Sequence, residues 1–105
     1  MIINNNIFLS KINITKHAEQ RFKERFSSNI NKMILWLSKS HNAWVSPKIR
    51  TELYLRNKRS GSVRYKVSEN GVLFIINGNN QLLTCYRCKV RLDKKRGWVA
   101  DGLLI

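Results

Sequence analysis

His17, Arg21 and Arg25 recur at four-residue intervals in the stretch His17-Ala18-Glu19-Gln20-Arg21-Phe22-Lys23-Glu24-Arg25, and these residue types can work on a phosphodiester. An imidazole exchanges its proton near neutral pH, and a guanidinium forks onto two phosphate oxygens. Cutting RNA without a metal needs a base for the ribose 2′-hydroxyl, an acid for the leaving 5′-oxygen, and positive donors for the charge that builds around phosphorus. His17 fits the acid or the base, and Arg21, Arg25 or Arg64 fits the clamp. The same residues also read as a solvated rim whose arginine stems cover an apolar core. No carboxylates are paired at a spacing suited to a metal. Glu19 and Glu24 stand among basic neighbours, and Asp93 and Asp101 lie in a basic tail, so neither metal nor cofactor is expected.

A second cationic group lies toward the C-terminus. Lys89, Arg91, Lys94, Lys95 and Arg96, opposed nearby only by Asp93, form the densest positive patch, and Lys66 and Arg87 add to it from the strands before it. Trp98 follows, placed either to stack on a base or to anchor the tail. Cys85 and Cys88 make a C-x-x-C. On a strand an odd step puts the two thiols on opposite faces, which argues against a redox pair or half a zinc site. His41, in a polar stretch, is read as structural.

These groups must be positioned by one domain, because the chain has 105 residues. It carries 20 lysines and arginines against 6 acidic residues, a formal charge of +14 that repels itself in the compact state and is better explained by a polyanionic partner. RNA is the first expectation and DNA the second; a cognate inhibitor or an acidic host protein is the other kind of partner. No apolar run is long enough for a bilayer and no targeting signal is visible, so a cytoplasmic protein without a membrane partner is expected.

Periodicity predicts a helix capped by Thr15 and running to about Phe26, with Ala18, Phe22 and Phe26 as its buried stripe. A second helix follows from near Ile30 to near Ser40. From about Lys48 the pattern turns toward a period of two. Leu53 and Leu55 fit one strand, Val63, Tyr65 and Val67 another, Val72 to Ile76 a central one, and Gln81 to about Arg87, or on to Leu92, a last one, with Asn70-Gly71 as the clearest hairpin signal. The expected fold is α+β: two N-terminal helices packed on a three- to four-stranded antiparallel sheet. Its core spans 14–92, and the basic and apolar tail, 93–105, docks on the body or on a second copy. Ile7, Phe8 and Leu9 could form a lead-in strand.

The H-A-x-x-R-x-x-x-R helix opening, followed by a second helix, a Tyr65-bearing strand, a glycine turn, an apolar strand and a final Leu83-Thr84-Cys85-Tyr86 strand, resembles small domains related to the RelE-like and colicin-like ribonuclease toxins. The wider group is the barnase, EndoU, colicin and RelE superfold, and the resemblance runs from about Ile14 to Arg87. It implies helices against a four-stranded antiparallel sheet, a cleft for RNA, and metal-free cleavage by 2′-hydroxyl attack. By position it implicates His17 and Arg21, with Arg64 and Thr84 or Tyr86 from the sheet. The expectation is thus a toxin-like endoribonuclease; the alternative is a nucleic-acid-binding protein without chemistry, or an inhibitor of an acidic protein.

Overall fold

The computed structural model describes residues 12–57 and 62–104. The lead-in strand expected at Ile7, Phe8 and Leu9 lies outside them, as does the centre of the turn expected between Asn57 and Ser62. In chain order the elements are β1 (Asn13–Ile14), α1 (Lys16–Arg25), α2 (Ile30–Ser38), β2 (His41–Val45), α3 (Pro47–Asn57), β3 (Val63–Val67), β4 (Val72–Asn77), β5 (Gln81–Asp93) and β6 (Gly97–Leu104). Thr15 caps α1, its hydroxyl oxygen accepting from Ala18 N at 3.1 Å while donating to the Leu82 carbonyl at 2.7 Å. The helix start is thereby pinned to β5. Asn29 caps α2 by accepting from Asn31 N.

The sheet closes on itself. Strand order is β1-β5-β4-β3-β2-β6, and β6 also pairs with β5, so five strands ring a mixed barrel to which β1 is appended. Closure depends on β5, whose 13 residues reach two neighbours. Its first part pairs antiparallel with β4, from Leu82 opposite Ile76 to Arg87 opposite Val72, and its last part pairs with β6, from Arg87 opposite Leu104 to Asp93 opposite Gly97. The seam is a parallel pairing of β2 with β6, Trp44 opposite Val99. Register shifts between Ile75 and Ile76 and between Lys89 and Val90 supply the bending that a closed sheet requires.

This corrects the expected two-helix, three- to four-stranded open sheet, and with it the resemblance to the RelE and barnase superfold, whose sheet is open and twisted. The toxin and nuclease expectations taken from that resemblance lose their architectural basis. Three strands were hidden in sequence: the short Asn13–Ile14, His41–Val45, which begins within the polar exit of the second helix, and Gly97–Leu104, which reads as part of the basic and apolar tail. A third helix replaces the strand expected at Leu53 and Leu55. Ile49 and Leu53 are buried four residues apart while Leu55 is 63 % exposed, a helical period, and Pro47 takes the first helical position, where its missing N–H costs nothing.

Two cores share one wall. Inside the barrel lie Val45, Val67, Leu73, Ile75, Tyr86 and Cys88, with Ile49 and Leu53 of α3 packed among them. On the outer face of β4 and β5, Val72, Phe74, Ile76, Leu82 and Cys85 are covered by Phe22 of α1 and by Met33 and Leu37 of α2. Strand β4 is therefore buried on both faces, which accounts for its uninterrupted apolar run. The turn before it is set by Gly71, at φ +91°, whose carbonyl accepts from Cys88 N at 3.0 Å. A Cβ there would sit 3.1 Å from the Cys88 carbonyl oxygen in a backbone conformation that L residues avoid. Gly71→Ala should cost about 1–3 kcal/mol, read as a lower urea midpoint at unchanged m.

Candidate nucleic-acid interface

The α1 row is largely engaged within the fold. His17 is exposed near the helix start. Arg21 pairs with Glu24 at 2.7 Å, and that hydrogen bond is the main cause of the lowered Glu24 pKa. Arg25 donates to the Cys85 carbonyl at 2.7 Å, on the stretch of β5 that lies between its pairings with β1 and with β6. Its guanidinium also stands 4.8 Å from the Tyr86 ring centroid, with that of Arg56 from α3 at 5.7 Å. Arg87 donates to the Arg25 carbonyl and covers the Phe26 ring.

The sheet residues separate by face. Thr84 and Tyr86 are buried, opposite Ile75 and Leu73 in the inward-facing phase of β5. Arg64 is exposed on the outer face of β3, opposite Ile76. The fold thus brings Arg25 onto Tyr86, but leaves His17 on an exposed helix and Thr84 inside the wall.

A different surface carries a run of cations with no ion pair. Along β5, Tyr86, Cys88 and Val90 face the barrel interior, and Arg87, Lys89 and Arg91 alternate outward. At the β5–β6 tip, the Asp93 carboxylate accepts from the backbone N–H of Lys95 at 3.0 Å and of Arg96 at 2.9 Å. Gly97 leaves the turn at φ +75°. This geometry carries the Arg96 guanidinium back over the Trp44 ring, 4.1 Å from its centroid. Trp44 points outward because Ala43 and Val45 on either side of it face the interior. On the same outer face Lys66 of β3 reaches Asn42 at 3.5 Å. Burial, and then the neighbouring Arg64 charge, lower the Lys66 pKa. Arg91 is the neutralised member, bonded to Asp93 at 3.2 Å and Asp101 at 3.3 Å.

The two backbone N–H groups, Arg96 first, hold the Asp93 carboxyl below its ordinary range. A carboxyl depressed in the folded state contributes above its unfolded pKa and is lost as pH falls through the folded one. The tip should therefore loosen only in acid, read as upfield movement of the Lys95 and Arg96 amide resonances with a midpoint below that of free aspartate.

Sequence reasoning missed Trp44, because a five-residue strand between a helix and a proline offers too few alternations to count. Trp98 anchors: it packs on the barrel core and stacks on His41 with centroids 4.5 Å apart, while His41 Nε2 meets Glu69 at 3.1 Å. Cys85 and Cys88 are free and buried in different cores. Burial pushes both thiols up to about 12. Native protein should react with a thiol reagent at neutral pH roughly a thousandfold more slowly than denatured protein. Among the described residues no group of three or more His, Cys, Asp or Glu is placed to hold a metal, and no helix is long and apolar enough to cross a membrane. Comparison of the chain with protein-family models, curated proteins and solved structures finds no match.

Proposed function

We propose that the protein binds nucleic acid through its phosphate backbone, without cutting it, using the outer wall formed by β2, β6 and the C-terminal half of β5. The observation that carries this reading is a run of unneutralised cations along one hairpin. The 6 acidic side chains pair with Lys23, Arg21, Arg56, His41 and Arg91, and none lies within ion-pair reach of Lys89, Lys94, Lys95 or Arg96. Exposed cations without ion pairs on one hairpin suit a phosphate chain, whose bound counterions they release. Free buried thiols suit a reducing compartment, and the cytoplasm is the address this reading carries.

The test is binding of a labelled RNA oligonucleotide across a salt series, with a DNA oligonucleotide beside it. Affinity should fall steeply with salt, and replacing Lys89, Lys94 and Lys95 together by glutamine should flatten the log–log slope by about 2. Salt-independent binding, or a slope unmoved by the triple variant, would overturn the reading. RNA should be recovered intact in EDTA; cleavage that His17→Ala abolishes would replace binding with catalysis.

A further inference from the structure

The outer wall carries one large aromatic ring, beside the fully buried Val99 of the seam, that among the described residues belongs to neither core cluster. Trp44 is half-buried, lies on the outer face of β2, and packs on neither core cluster of the described residues. Both other tryptophans do pack on a core, Trp36 of α2 against the outer one and Trp98 against the barrel interior. Over its ring stands a cation, the Arg96 guanidinium at 4.1 Å, on the exposed tip of the β5–β6 hairpin. Its flanks are Lys66 and Asn42 on one side and the hairpin cations on the other.

From this juxtaposition we infer that Trp44 is a base-stacking platform and that the ligand class is single-stranded nucleic acid. The inference rests on the nucleic-acid reading above and narrows it. A π face set in a line of phosphate-binding cations is the combination that recognises an unpaired nucleotide, because stacking takes any base and the charges follow the backbone. A duplex keeps its bases stacked on one another and offers this wall only phosphates. In the free protein Arg96 occupies the indole face; an incoming base takes its place, and the guanidinium moves to the phosphate of the same strand. That exchange favours the base, since stacking contributes more than a solvent-exposed cation–π contact. The hairpin tip permits it, being held to β5 by the Asp93 contacts while its side chains stay in solvent.

Fluorescence titration of the full chain tests this with a single-stranded oligonucleotide and the duplex made from it, at one salt concentration. Wild-type protein should bind the single strand more tightly than the duplex, with quenching of tryptophan emission. Trp44→Ala should weaken single-strand binding by about tenfold or more while leaving duplex binding and the salt slope in place. Trp44→Phe should retain single-strand binding within a few-fold but lose most of the quenching, so the two variants separate stacking from a folding defect. Single-stranded RNA and DNA arms show whether the sugar matters. If duplex and single strand bind equally and Trp44→Ala changes neither, or weakens both alike, the platform is overturned and backbone binding stands. If neither strand form binds at all, the nucleic-acid reading itself falls.

Discussion

Phe22→Ala is expected to remove about 3–5 kcal/mol of folding stability, a large share of the roughly 5–15 kcal/mol that holds a domain of this size together. Phe22 is fully buried at the centre of the outer core. Its ring lies 5.2 Å from that of Phe26 and 5.5 Å from that of Trp36, so one side chain joins α1 to α2 above β4 and β5. Phe26 and Trp36 meet edge-on at 6.4 Å and are fixed by their own helices, leaving little to collapse into the space. Denaturant titration should show a reduced midpoint at unchanged m, and a loss below about 1 kcal/mol would mean that α1 is not seated as described. Phe22→Leu, which keeps most of the volume, should cost about half as much or less. Where the variant remains folded, the salt dependence of nucleic-acid binding should be unchanged, because the cationic wall belongs to the opposite part of β5.

Arg25→Ala should cost about 2–3 kcal/mol, and it separates two roles for the arginine row. Truncation leaves the Cys85 carbonyl without the Arg25 donor and removes one guanidinium from the Tyr86 ring. Arg87 donates to the Arg25 backbone carbonyl and lies over Phe26, so those contacts should survive the change. Affinity for an oligonucleotide, corrected for the folded fraction, should stay within twofold. A tenfold loss of affinity with stability intact would instead make Arg25 part of the interface.

Local signals were legible where one element supplies them. The Thr15 cap, Ala18 and Phe22 of the predicted stripe and the Gly71 turn each depend on residues a few positions apart, and each is where the sequence puts it, while Phe26, the stripe's last member, is only half-buried at the helix end. The barrel was not legible, because its closure is a relation between β2 and β6, both short and irregular in pattern. Valine and alanine at 99 and 100 look like a greasy tail until a parallel partner is known. The third helix was lost to a composition effect: Leu53 and Leu55 suggest alternation, while the decisive partner of Leu53 is Ile49, four residues before it. The candidate site divides in the same way. The hairpin cations Lys89, Lys94, Lys95 and Arg96 can be found by counting charge; the exposure of Lys89 follows from strand alternation and that of the other three from their place in the turn between β5 and β6. What Arg25 does depends on an interval in the pairing of β5, and what Trp44 does depends on the seam; neither leaves a mark within its own neighbours.

The parallel seam also ties ligand affinity to conformational integrity. Trp44 and the Lys94–Arg96 tip come from distant parts of the chain and are neighbours only while the last strand stays zipped to the second. A chain whose final strand has peeled away keeps every positive charge but presents no ordered track for them. Any polyanion that prefers the ordered track must, by mass action, raise the melting temperature and protect the amides of both seam strands from exchange.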